Sequence, residues 1–292
     1  MTSVAVPAAA YAATTRAAAP DVHCVSADRD YKTLAKKLAR DLDDRIAPTG
    51  LDTGLNLTDS RTKVTCWYRS TRHFIAASVI KVTILAALLR KAQEQHRTLT
   101  ASEMQAATLM ITQSDNAAAN RLWFDVGIPS VQHFLDLAKM RQTVLDYHWG
   151  LTQITAHDEM LLLSLLSGPN RVLTNGSRAY ELNLMAQVIA SQRWGVPAGA
   201  PRSVTVHVKN GWLPYPGSLW EVNSLGTFTT KTRTYLIAML TYGSSPMAYG
   251  VAAIQSAAMA IHARLNPGKH PTVPPAVPGP SWGIPDETVP GR

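Results

Sequence analysis

Ser78-Val79-Ile80-Lys81-Val82-Thr83-Ile84-Leu85-Ala86-Ala87-Leu88-Leu89 is an apolar run with a serine at its head and one lysine three residues later. Its spacing predicts a helix from about Ser78 to Ala92. On such a helix Ser78 and Lys81 share one face, about one turn apart. Lys81 stands between Ile80 and Val82, so its ammonium would be poorly solvated. Poor solvation favours the neutral amine, a usable base for the Ser78 hydroxyl as it attacks a carbonyl. Ser78 near a helix N-terminus also has a backbone N–H free to stabilise an oxyanion. The plainer alternative is a helix cap and a lysine snorkelling to water.

Two further clusters follow downstream, Ser114-Asp115-Asn116 and then Lys209-Asn210-Gly211. Ser114-Asp115-Asn116 falls between two predicted helices, where Asp115 would cap the second. Lys209-Asn210-Gly211 ends a β-rich run, Val204 to Val208. A lysine there is ordinarily an edge charge, and a glycine lets a ligand approach the backbone closely. Ser-x-x-Lys, Ser-Asp-Asn and a one-residue variant of Lys-Thr-Gly, in that order, carry far more weight together than singly. With them the chain resembles the serine β-lactamase and penicillin-binding protein superfamily. It most resembles the class A β-lactamase-like serine hydrolases of actinobacterial type.

The resemblance implies an α/β fold, more narrowly α+β: a five-stranded antiparallel sheet flanked by helices, plus an all-helical lobe. It implies that Ser78, Lys81 and Ser114 are catalytic, with Ser114 relaying a proton between Lys81 and the leaving nitrogen. Asn116 would hydrogen-bond a substrate amide carbonyl. Lys209 would face the substrate carboxylate, and Asn210 would take the place of the usual hydroxyl residue. Gly211 would admit the ligand to the backbone. Trp212 would give the second oxyanion N–H, its indole narrowing the pocket or simply packing. Asp115 would hold the lobes together. No cofactor is implied. The substrate would be a small molecule or a peptidoglycan-like one.

The resemblance runs from about Tyr31 to Leu265, with two departures. Between Ser78 and Ser114 lie 35 residues (114 − 78 − 1), fewer than class A enzymes carry, and His96-Arg97-Thr98-Leu99-Thr100 replaces a long excursion. A more open site would follow. Class A enzymes also place a glutamate, which activates the deacylating water, on a loop after Ser-Asp-Asn. Here no glutamate occurs between Glu103 and Glu159, and Glu159 is expected as a solvated residue of the next helix. Asp146, His148 or His157 could replace it, though spacing favours none. Acylation is expected to be intact and deacylation slow. The competing readings are a non-catalytic β-lactam or cell-wall peptide sensor on the same fold, and a D-alanyl peptidase or esterase relative.

The remaining pattern agrees with a two-lobed body. Tyr31, Leu34, Leu38, Leu42 and Ile46 recur at helical spacing from Ala27 to Ile46. Strands are expected over Leu51–Leu57 and Lys63–Tyr68. Helices are expected over Glu103–Met110, Ala117–Trp123, Ser130–Leu137, Ala156–Leu166 and Ser177–Ala190. Late strands are expected over Ser203–Val208, Trp220–Thr229 and Thr234–Tyr242, before a closing helix, Tyr249–Leu265. Early strands meeting late ones would make one antiparallel sheet, with the helical block as a second lobe and the site between.

An apolar share of 46% against 16% charged places the chain among globular proteins, and no apolar run reaches the ~20 residues of a membrane span. The net charge of +8 comes without a dense Lys/Arg tract, which argues against nucleic acid and for a basic surface in an anionic setting. Residues 1–22 read as a signal remnant or a flexible arm, residues 23–265 as the hydrolase domain, and residues 266–292 as a disordered proline-rich tail. Cys24 and Cys66 lie outside any metal-binding spacing, so no metal is expected. They form either one disulfide of an exported protein or two unpaired thiols.

Overall fold

In the computed structural model, which describes residues 21–215 and 218–271, the elements run in the order the hydrophobic pattern suggests. Strand β1 (His23–Ser26) precedes helix α1 (Lys32–Ile46), followed by strands β2 (Asp52–Asp59), β3 (Val64–Tyr68) and β4 (His73–Ile75). Helices α2 (Ile80–Glu94), α3 (Ala101–Thr112), α4 (Asn116–Val126) and α5 (Ile128–Ala138) come next. Then come β5 (Gln153–Thr155), α6 (Ala156–Ser167) and α7 (Asn175–Ala186). The chain closes with β6 (Thr205–Pro214), β7 (Trp220–Thr229), β8 (Thr234–Ser244) and α8 (Met247–Leu265).

The main sheet is antiparallel in the order β1-β3-β2-β8-β7-β6. It has six strands where five were expected. The extra edge strand, β1, is too short to show periodicity, and the Cys24–Cys66 disulfide fastens it to β3. Val22, assigned by sequence to the arm, is 1% exposed and packs in the core beneath this sheet. Residues 1–20 of that arm and the tail beyond Pro271 lie outside the described residues. A second, two-stranded sheet pairs β4 with β5 and was not foreseen, since three-residue strands leave no readable alternation.

One face of the main sheet carries α1 and α8 over a core that includes Leu38, Leu42, Leu55, Ile237 and Ile254. The other face carries the helical lobe, whose core is centred on α2. From Ile80 to Leu89 helix α2 is buried on every side and, Lys81 and Thr83 apart, apolar; Ile80, Val82, Ile84, Leu85 and Leu88 are each at most 1% exposed. Burial of each such side chain stabilises by about 1.5–3 kcal/mol. Together they outweigh the several kcal/mol that seating one ammonium in the helix costs.

A buried ion pair ties the sheet to α8. Arg233 Nε donates to Asp59 Oδ1 at 2.6 Å, and its Nη1 donates to the Leu265 carbonyl at 2.6 Å. Burial raises the Asp59 pKa, but bonds from Arg233 and Thr62 outweigh that and hold the carboxyl below its ordinary value. Its stabilising contribution is therefore complete above the ordinary carboxylate range and is lost as pH falls through the depressed value. Arg233→Met leaves Asp59 as an uncompensated buried charge and should cost about 3–5 kcal/mol at pH 7 in denaturant unfolding. The difference from the wild type should shrink below about pH 4. A pH-independent difference would remove the ion pair as its source.

Candidate active site

Ser78 lies in a short 3-10 turn, Ala77–Val79, that feeds α2, so Lys81 is already in the first helical turn. The two are 2% and 0% exposed. Lys81 Nζ lies 2.9 Å from Ser78 Oγ, 2.7 Å from the Ser114 carbonyl oxygen, 3.3 Å from Ser114 Oγ and 2.6 Å from Asn116 Oδ1. The indole of Trp149 covers it at 4.7 Å. Lys209, fully buried on β6, donates to Ser114 Oγ at 2.9 Å and to the Asn210 carbonyl at 2.9 Å. Burial pushes its ammonium down to about 7. Ser78, Lys81, Ser114, Asn116 and Lys209 thus form one connected polar network at the junction of helical lobe and sheet.

Local backbone geometry aims these groups. Ala77, next to the serine, has φ 46°, and Ser114 has φ 59°, both left-handed values that cost non-glycine residues roughly 1–3 kcal/mol. Asp115 Oδ1 accepts the Ala118 N–H at 2.7 Å and caps α4. Its side chain therefore serves the helix start that presents Asn116.

On β6 the alternation of a strand sorts the expected binding residues onto two faces. Lys209 and Gly211 face the helical lobe. A Cβ on Gly211 would lie 2.8 Å from the Ala76 carbonyl, the Ser78 nitrogen and the Val79 nitrogen. The close approach that requires glycine is therefore made by the protein's own serine turn rather than by a ligand. Asn210 points the other way. Its Nδ2 donates to the Gln192 and Trp194 carbonyls at 2.8 and 3.0 Å, while its Oδ1 accepts from Ser224 Oγ at 2.6 Å. Expected to contact substrate, its amide instead fastens the 3-10 turn Ala190–Gln192 and Trp194 to the sheet. The Trp212 indole likewise packs edge-on against Trp194 in the core below the sheet, 5.7 Å between ring centres, and does not line the cleft. The backbone keeps its expected role open. The Asn210 carbonyl points off the sheet edge to Lys209, and N–H and C=O groups two residues apart share a side, so the Trp212 N–H points off that edge too.

The loop after α5 closes on itself. Asp158, buried at the start of α6, accepts the Gln142 and Thr143 N–H groups, each at 2.8 Å, and Val144 pairs with Gln153. Within it Asp146 Oδ1 accepts the His148 N–H at 2.8 Å. The Trp149 Nε1–H donates to Asn120 Oδ1 at 2.7 Å, which fixes the ring over Lys81. His157 bonds Asp158 at 3.1 Å. Glu159, expected in solvent, is fully buried where α6 packs on the sheet, and neither carboxylate oxygen has a hydrogen-bond partner among the described residues. Burial, then the neighbouring Asp158, pushes its carboxyl up to about 8. The short link between α2 and α3 is secured by Arg97 on Glu103 at 2.8 and 2.9 Å and by a reciprocal cap between Thr100 and Glu103.

The β-lactamase enzyme family matches residues 36–105 and 100–265, and the chain belongs to that family. A Mycobacterium tuberculosis protein named "Putative lipoprotein LppW" is 27% identical over 214 residues, 68% of this chain. The chain spans 66% of that relative's length. Among solved structures, a β-lactamase from Xanthomonas campestris superposes with a TM-score of 0.69 at 21% identity, over 80% of this chain and 99% of that one. A class A β-lactamase from Bacteroides cellulosilyticus gives 0.70 at 17%, over 80% and 98%. A mutant of PBP-A, an acyl-enzyme complex with penicillin G, gives 0.67 at 19%, over 80% and 97%. The fold is that of the β-lactamase-like serine hydrolases.

Gly211→Ala tests the packing of strand against serine turn. The added methyl meets three backbone atoms that cannot swing aside, so the variant should lose about 1–3 kcal/mol of stability. It should also move the amide resonances of Ser78 and Val79. Unchanged stability and unchanged resonances would mean that β6 does not press on that turn.

Proposed function

We propose that this protein is an exported serine hydrolase in which Ser78 attacks an amide, β-lactam or ester carbonyl and forms a long-lived acyl-enzyme. The contacts of Lys81 carry the reading. Its two shortest hydrogen bonds go to the Ser114 carbonyl and to Asn116 Oδ1, acceptors with no hydrogen to give. In the neutral amine both hydrogens would be held there, leaving the lone pair toward Ser78 Oγ at 2.9 Å. Ser78 Oγ–H would then pass its proton to Lys81 as the Oγ–carbonyl carbon bond forms.

Ser114 completes the transfer. Once Lys81 has taken the Ser78 proton, it and Lys209 can both donate to Ser114 Oγ, which accounts for both lone pairs and turns the hydroxyl hydrogen toward the cleft. That hydrogen would go to the leaving nitrogen as the C–N bond breaks, and Lys81 would return its proton to Ser114. The Ser78 and Trp212 N–H groups would hold the oxyanion, the Asn116 Nδ2 a substrate carbonyl, and the Lys209 ammonium a substrate carboxylate.

Release is the weak step. The Trp149 indole occupies the flank of Lys81, and the loop's carboxylate, Asp146, serves its own turn. A positioned base is worth about 10²–10⁴-fold, so an acyl group on Ser78 would persist. A cell-wall peptide or β-lactam substrate is consistent with export, which the disulfide and the relative named as a lipoprotein both favour.

Brief exposure to benzylpenicillin should add one intact penicillin to the mass of the protein, and the adduct should outlast dilution by many minutes. Ser78→Ala should acquire none. Absence of any adduct, together with no p-nitrophenyl ester hydrolysis, would sink the proposal.

Lys209 gives a second measurement. It is charged below about pH 7 and neutral above, so acylation by the carboxylate-bearing penicillin should slow as pH rises through that value. Acylation by an uncharged ester should lack that limb. Matching profiles for the two reagents would exclude Lys209 as the carboxylate partner.

A further inference from the structure

Away from the serine network, a cavity of about 210 Å³ opens between β4 and the neighbouring ends of β2, β7 and β8. Asp52, Phe74, Gln153, Tyr215, Glu221 and Tyr242 line it. Glu221 is 3% exposed; its Oε1 accepts the Ile75 N–H at 2.6 Å, but its Oε2 has no hydrogen-bond partner among the described residues. Asp52 Oδ1 is likewise buried without a hydrogen bond among the described residues, with Arg69 Nη1 at 3.7 Å. Arg72 pairs with the other Asp52 oxygen, and its side chain is 54% exposed, at the rim of the cavity. Two carboxyl oxygens in a lined cavity each lack a hydrogen bond among the described residues, a costly arrangement for buried polar groups.

We infer that this cavity binds a small alkylammonium group, held by Glu221 and Asp52 and enclosed by tyrosine rings. The donors of an ammonium match the missing bonds. Tyr215 and Tyr242 meet edge-to-face, 5.2 Å between ring centres, and Phe74 adds an apolar wall, surroundings that favour an organic cation. The volume equals roughly seven water-sized groups, enough for a short alkyl chain and its ammonium. No group of three or more metal-binding side chains occurs among the described residues, so the donor set suits an organic cation better than a metal ion. Burial, and then the Asp52 charge, pushes the Glu221 carboxyl up to about 8, so an arriving cation would be met by an acid that can ionise. The site is independent of the Ser78 chemistry, although it adjoins it: Ile75, whose N–H Glu221 holds, also gives its carbonyl to Asn223 Nδ2 at 2.8 Å, three residues before Ser78.

The test is calorimetric titration of the full chain at pH 7.5 with n-pentylamine, n-pentanol, pentanoate and an Nα-acetyl-lysine amide. Pentylamine should bind at least tenfold more tightly than the alcohol or the acid. The lysine amide shows whether a peptide side chain enters as readily as a free amine. Glu221→Gln keeps the bond to the Ile75 N–H but loses the charge, so it should hold its melting temperature and weaken pentylamine binding at least tenfold. Gln153→Lys, at an exposed lining position, should bring an ammonium of the chain's own to the cavity and compete. The inference is overturned if neither amine binds, if alcohol or acid binds as well as amine, or if both variants bind pentylamine like the wild type.

Discussion

The Lys81 ammonium sits where two lobes meet and is fully buried, so it has to be satisfied by groups from outside its own helix. The Ser114 carbonyl, from the turn between α3 and α4, and the Asn116 amide, at the first residue of α4, supply acceptors within 2.7 Å. That requirement couples the apolar packing of α2 to the conformation of a turn more than thirty residues away. It also makes the left-handed backbone at Ser114 worth its cost, since the strained residue offers both its carbonyl and its hydroxyl to Lys81. Lys209 meets the same hydroxyl from β6. Two buried amines are thus solvated by one serine, and the sheet is drawn onto the helical lobe at that point.

The edge strand β6 shows how one local rule divides structure from chemistry. Side chains that point toward the lobe are limited to what fits against the serine turn: a lysine long enough to reach Ser114, and a glycine where any Cβ would strike three backbone atoms. Side chains that point away are fixing elements. Asn210 closes three hydrogen bonds to Ser224 and the Gln192–Trp194 segment, and Trp212 packs edge-on against Trp194. His262 extends the same bracing from α8, with Nε2 on the Val196 carbonyl and Nδ1 on the Tyr235 hydroxyl, both at 2.9 Å. Burial pushes its ring down to about 4, in keeping with a neutral bridging imidazole.

The loop between α5 and α6 sets the character of the site. Its ends are held by a carboxylate, Asp158, that accepts from Gln142 and Thr143, and its middle delivers an indole to Lys81. An aromatic ring can shelter an amine but cannot take a proton from water. In the proposed reaction this favours forming the acyl-enzyme over releasing it. The Glu221 cavity on the far side of the Ile75 peptide is the reverse case, with carboxyl oxygens present and, for Glu221 Oε2, no hydrogen-bond partner among the described residues.

By itself, the sequence determined the elements and the order of the site motifs, because period and spacing are local properties. Alternation and helical repeats placed α1, α2, β7 and α8 within a few residues, and Ser78 and Lys81 had to share a face once the helix was recognised. Short pieces were illegible: β1, β4 and β5 have three or four residues each, too few for any pattern. What each side chain faces was decided only by the tertiary structure. Glu159 reads as a surface residue until α6 is laid on the sheet, and Asn210 reads as a ligand contact until the strand's phase turns it toward Gln192. Burial and orientation belong to what packs alongside a residue, and those neighbours lie far away along the chain.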